Sequence, residues 1–172
     1  MVQKETRGGI DMLAAKEIAK YFLSKDTEKK LFNTNVIILN GRNCYEGNVR
    51  LNKYLYFAQT VYLARYGKLL FQENILAYDN GPIVKEVMEK YAVIRGSKNI
   101  EVLLEDEIKV FLDKIYEALK EATCEELVQI SHEDTAWKEL SANTSNAPVI
   151  DIMKYQEKYR KQYKGLIQVM GI

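Results

Sequence analysis

The chain has 172 residues, 47% hydrophobic and 28% charged, with a formal net charge of +1. That length predicts one domain with a sizeable core, and the near-neutral balance argues against a nucleic-acid partner, which would call for a strongly basic surface. No stretch reaches the ~18 consecutive apolar residues of a membrane span, and no charged-then-apolar leader opens the chain, so no membrane partner is expected. Cys44 and Cys124 lie far apart, and His132 is the single histidine. They offer no zinc spacing, no multi-histidine metal site and no disulfide framework, so a cytoplasmic protein without metal or cofactor is expected.

Residues 1–10 are polar and read as a loose start, with residues 11–172 as the single domain. Asp11 is expected to cap a helix running to about Leu23, with Leu13, Ala14, Ile18, Ala19 and Phe22 near helical spacing. Residues 24–48 break that period. Within them Val36-Ile37-Ile38-Leu39 followed by Asn40-Gly41 predicts a short strand and a tight turn. Asn48 is expected to cap the strongest helix, from about Val49 to Tyr66, with Gly67 ending it in a left-handed conformation.

Leu69 to Tyr78 predicts two short strands around a Gln72-Glu73-Asn74 turn. Asn80-Gly81-Pro82 predicts a turn with the proline opening the next helix, which carries Ile83, Val84, Val87, Met88 and Tyr91. Leu104 to Glu121 has an apolar face of Ile108, Phe111, Leu112, Ile115 and Leu119. Thr123-Cys124-Glu125-Glu126 is a capping box opening a short helix. A further helix is expected over Thr135–Leu140, and a terminal one from near Pro148 through Ile152, Tyr155 and Tyr159. The fold class is mainly α, with one small β-hairpin or strand pair.

The 49–66 helix is apolar almost all round, which places it at the centre of a domain. Asn52, Lys53, Tyr56, Gln59 and Thr60 nevertheless gather on one side, and polar groups on a buried helix must find partners in covering loops, water or a ligand. From Glu101 to Glu139 twelve acidic residues face four lysines, either a solvated helical face with ion pairs or a surface for a basic partner.

No phosphate-cradling loop, dinucleotide fingerprint or nucleophile elbow is present. Glu105-Asp106 and Glu125-Glu126 sit at amphipathic or capping positions, where two acids do not converge on one cleft. His132 titrates near neutrality and has Glu133 and Asp134 beside it. It could serve as an acid–base group, although a junction histidine more often caps a helix or bonds a carbonyl. Trp137 reads as core. Cys124, at a helix start without a base beside it, reads as structural.

Three segments in order resemble one family. Leu51-Asn52-Lys53-Tyr54-Leu55-Tyr56-Phe57-Ala58-Gln59, continuing through Tyr62-Leu63-Ala64-Arg65-Tyr66-Gly67 to Phe71, is similar to the long helical signature of the Panacea domain, that of SocA-like antitoxins and phage-associated GepA-like proteins. Ala77-Tyr78-Asp79-Asn80-Gly81-Pro82-Ile83-Val84 resembles its glycine–proline segment, and Ser131-His132-Glu133-Asp134-Thr135-Ala136-Trp137 its serine–histidine–tryptophan segment. Ile18 to Leu23 is similar to its opening helix. The chain departs from the pattern in a longer 24–48 segment, read as an insertion, and in Tyr78 and Thr135, where the family has tryptophan and proline.

The resemblance implies a bacterial or phage antitoxin, without catalytic residues, that neutralises a protein toxin encoded by an adjacent gene. Lys53, Tyr56, Gln59, Asp79, Gly81, Pro82, His132 and Trp137 are expected to gather in one polar–aromatic cluster. The 24–48 and 101–139 segments are the expected specificity surfaces. An enzyme or nucleotide-type ligand sensor built around Lys53, Tyr56, Gln59 and His132 is the alternative. DNA binding through the basic terminal helix ranks behind both, and an exposed Tyr155/Tyr159 face would favour a homodimer.

Overall fold

The computed structural model describes residues 12–97, 102–140 and 146–172. Asp11 lies outside them. Helix α1 (Ala15–Lys25) buries Ile18, Ala19, Phe22 and Leu23, as the spacing predicts. Its first free amide is satisfied from a distance: the Ala15 N–H donates to Glu73 Oε2 at 2.8 Å. Leu13 also forms a single parallel bridge with Phe71. The Gln72–Asn74 stretch therefore ties down the start of α1 instead of turning between two strands.

After α1 the chain is held by one carboxylate. Asp26 accepts from the backbone N–H groups of Lys30, Leu31 and Phe32 at 3.1, 2.8 and 2.8 Å. Strands β1 (Val36–Leu39) and β2 (Arg42–Tyr45) then form an antiparallel hairpin with Leu39 opposite Arg42. Asn40 and Gly41 both take positive φ, 49° and 72°, which is the turn geometry that matches strand twist and that Asn-Gly favours.

Helix α2 (Glu46–Tyr66) starts directly from β2. It opens at Glu46 rather than at Asn48, because Gly47 lets the helix lie against the backbone of Asn33 with no side chain between. Asn48 is inside the helix, its side-chain amide donating to Met88 O at 3.0 Å. At the other end Gly67 adopts φ 68°, as expected.

Strands β3 (Ile75–Tyr78), β4 (Gly81–Ile83) and β5 (Val149–Ile150) form a second antiparallel sheet in the order β4-β3-β5. Pro82 thus sits in an edge strand opposite Ala77, where its missing N–H costs no ladder bond, and not at a helix start. The mainly helical class stands, with strands in two small sheets instead of one pair.

Helices α3 (Lys85–Gly96), α4 (Asp106–Leu119), α5 (Cys124–His132) and α6 (Thr135–Lys138) follow. The capping box at Thr123 forms as predicted, with Thr123 Oγ1 accepting from Glu126 N and Glu126 accepting from Thr123 N. The stretch after Pro148 does not open as a helix: β5 leads to a single 3-10 turn (Ile152–Tyr155), then α7 (Gln156–Gln162) and α8 (Lys164–Met170). Helix α2 is the central post, contacted by α1, α3, α4, α5 and α7. Tyr159 faces this core at 2% exposure and Tyr163 is buried beside it, so Tyr155 and Tyr159 do not form an exposed self-association face. Among the described residues no helix is long and apolar enough to cross a membrane.

Candidate functional site

The polar stripe of α2 is used to fasten the chain around it. Gln59 splices the segment after Gly67: its Nε2 donates to Phe71 O at 2.8 Å and its Oε1 accepts from Leu70 N at 2.7 Å. Asn52 Oδ1 accepts from Val84 N at 2.9 Å, holding the start of α3. The Thr60 and Tyr163 hydroxyls lie 3.1 Å apart and bring the C-terminal helices onto α2. Backbone groups left without partners by irregular segments are thereby satisfied inside the protein.

Lys53 is different. At 1% exposure its ammonium has a single acceptor among the described residues, Pro82 O at 3.1 Å. Gly81 makes this approach possible, because with φ at 101° a Cβ there would stand 2.5 Å from Ser131 Oγ and 2.9 Å from Lys53 Nζ. Burial pulls the Lys53 pKa down to about 7, only slightly offset by the Cys124 thiol. In the unfolded chain a lysine titrates near 10.4. Above pH ~7 the unfolded state therefore binds more protons than the native one, and stability rises with pH. Between about pH 7 and about pH 8.5 the gain is about 2 kcal/mol, and Lys53→Met is expected to abolish it. Urea midpoints across that range would test this; parallel profiles for the two proteins would refute the assignment. The comparison stops near pH 8.5 because Cys124, pushed up to about 11 mainly by burial, then contributes with opposite sign.

One turn along α2, the Tyr56 hydroxyl donates to Asp134 Oδ2, and burial pushes its pKa well above the usual value. The other oxygen of Asp134 accepts from Trp137 N at 2.8 Å and caps α6. Trp137 donates its indole N–H to Tyr78 O at 2.8 Å and stacks on His132, with ring centroids 4.2 Å apart and planes 4° from parallel. Burial, then the nearby Lys53 charge, lowers the His132 pKa, against backbone groups of Asn80 and Asp79 that favour its charged form.

The structure thus brings Lys53, Gly81, Pro82 and the α5–α6 junction together, with Tyr56 reaching the same junction through Asp134. Gln59 serves the segment at 70–71, away from this group. Asp79 lies at the rim in an ion pair with Arg42, 3.0 Å from Nη2. Asp134 and Ser131 stand in the serine–histidine–tryptophan segment but are not among the residues the sequence led us to expect in the cluster. The carboxylate before Thr135-Ala136-Trp137 carries the same N-cap signal that was read at Thr123.

Beside Lys53 a cavity of about 350 Å³ opens between β2, the first turns of α2 and the β3–β4 turn. Its charged lining residues are Lys53 and Arg42, and its apolar surface includes Tyr45, Tyr78, Ile83 and Met88. Tyr56, Gln59 and His132 are not among the residues that line it.

A family model described as Antitoxin SocA-like, Panacea domain, matches residues 51–138, from the second turn of α2 to the end of α6. Neither the comparison with curated proteins nor that with solved structures gives a match. The matched span is just over half of the chain and contains Lys53, Gly81, Asp134 and Trp137 at the places just described, so the chain belongs to the SocA-like antitoxin family of Panacea domains.

Proposed function

We propose that the protein neutralises a cognate protein toxin by binding it directly, within a bacterial or phage toxin–antitoxin or anti-defence system. Family membership carries this reading, and the distribution of surface supports it. The stripe residues Tyr56 and Gln59 are engaged in holding the fold, which leaves little of an enzyme's constellation around them. The β1–β2 hairpin, by contrast, turns Val36, Ile38 and Tyr45 outward, the first two at 61% and 71% exposure. Among the described residues strand β1 pairs only with β2, and it carries no charged residue to guard its other edge. Such an edge accepts an added strand or an apolar face from a partner. The hairpin belongs to the 24–48 segment read as an insertion, the part free to differ between antitoxins that face different toxins. The acidic outer faces of α4 and α5, exposed at Glu105, Asp106, Glu107, Glu125 and Glu126, provide a flank for a basic partner.

The test is co-expression with the product of the adjacent gene. That gene alone should arrest growth, the pair should grow, and the two proteins should purify as a stoichiometric complex. The double substitution Val36→Asp/Ile38→Asp is expected to weaken the complex at least about thirtyfold, the loss typical of interface hot spots, while leaving the fold intact. A harmless neighbour, or a complex indifferent to the hairpin substitutions, would overturn the respective part of the proposal.

A further inference from the structure

A buried ammonium with one neutral carbonyl for company is a costly arrangement, because desolvation of the charge is not repaid by an opposite charge. Lys53 has three donors and Pro82 O occupies one. The cavity beside it is lined by two cationic residues, Lys53 and Arg42, and no carboxylate is among its lining residues. Arg42 is paired at the rim with Asp79, 3.0 Å from Nη2, so of these two cations only Lys53 lacks a carboxylate partner among the described residues. Apart from these two, its lining is neutral: asparagines, one cysteine, and the apolar Tyr45, Val49, Tyr78, Ile83 and Met88. Its volume falls at the small end of the range for small-molecule sites. A larger hollow of about 490 Å³ at the α1–α3 end differs in kind. There the buried Asp26 already accepts three backbone N–H groups, and Arg95 donates to Phe32 O at 2.9 Å.

We propose that the cavity between the hairpin, α2 and the β3–β4 turn binds a small organic anion, a carboxylate or phosphate ester carried on a single apolar ring, with its charge on Lys53 beside the Arg42–Asp79 pair. The anion supplies the acceptors that the protein withholds from Lys53 Nζ, and the ring takes the apolar wall. The lowered proton affinity of Lys53 in the empty site agrees with this, since a group poised near neutrality takes up a proton when an anion arrives. Binding here stands apart from toxin neutralisation: it requires no partner protein and is tested without one.

Cys44 lines the same cavity and is partly exposed, whereas Cys124 is buried. Its alkylation by a maleimide at neutral pH therefore reports occupancy. Phenyl phosphate or benzoate at ten times its dissociation constant is expected to slow the alkylation about tenfold, in proportion to the fraction bound. Phenol, which has the ring but not the charge, is expected to give no protection. Lys53→Met, which keeps the side-chain length and removes the charge, is expected to lose the protection. Protection by phenyl phosphate alone would assign a phosphate ester, and by benzoate alone a carboxylate. Absence of protection by both anions in the unaltered protein, or equal protection by phenol, would overturn the proposal whatever the variant does.

Discussion

Replacing Asp134 by alanine is expected to destabilise the protein by about 4 kcal/mol, the sum of three losses at one carboxylate. The side chain is 2% exposed and receives the Tyr56 hydroxyl on one oxygen and the Trp137 amide on the other. Without it, α6 loses its cap, at about 1 kcal/mol, and the Tyr56 hydroxyl is stranded in the core, at about 1–3 kcal/mol. The remainder is the void left by the side chain. Tyr56→Phe removes only the donor and is expected to cost about half as much. The double variant should be less destabilised than the sum of the singles, because the second change removes a partner already lost. Urea denaturation of the four proteins measures this. Additive losses, or a cost below about 1 kcal/mol for Asp134→Ala, would mean that the α5–α6 junction is not fastened to α2 through this pair.

Gly47→Ala is expected to be as damaging, by at least about 3 kcal/mol, for a steric reason. A Cβ at this position would overlap the Tyr91 hydroxyl and the backbone nitrogen and oxygen of Asn33. The Tyr91 hydroxyl is fixed by Phe32 O at 2.6 Å and Asn33 O at 2.8 Å, so neither obstacle can rotate away as a flexible side-chain end would. Relief requires lifting the 24–45 segment from α2 and α3, with the hairpin it carries. Gly96→Ala is the control: nothing lies within 4 Å of its added Cβ, and a change of a few tenths of a kcal/mol is expected. A thermal melt in which both variants behave alike would rule out the backbone contact at Gly47 as the anchor of the segment.

Much of the local structure was legible because its causes are local. The apolar face of α4, the capping box at Thr123, the left-handed Gly67 and the Asn40-Gly41 turn each depend on residues within a turn or two of one another. The errors fall where a distant partner decides. Pro82 suits a helix start as well as an edge strand, and pairing with β3 chooses the strand. Asn48 is a good cap in isolation, but contact between Gly47 and Asn33 lets the helix begin earlier. Tyr159 reads as exposed beside Lys158 and Arg160 until α7 folds onto α2.

The site follows the same division. The stripe from Asn52 to Thr60 could be read as polar groups in need of partners, because helical periodicity gathers them. Which partner each would take could not, since Val84 N, Pro82 O and Leu70 N reach them only through tertiary structure. The cavity beside Lys53 was hidden for a further reason: its Arg42 wall comes from a hairpin whose docking no short-range pattern encodes.

Several of the fastenings on α2 arrive late in the chain. Thr60 meets a hydroxyl 103 residues further on, and the partner of Ile75 in the second sheet is Ile150. As the chain leaves a ribosome, α2 emerges apolar on nearly all sides and remains without α7 until residues beyond Tyr163 follow. At ordinary synthesis speeds that interval is on the order of ten seconds. Throughout it the nascent protein offers chaperones and proteases the face of the central helix that α7 covers. A chain released early would keep that face open, which ties the supply of folded protein to the completion of each round of translation.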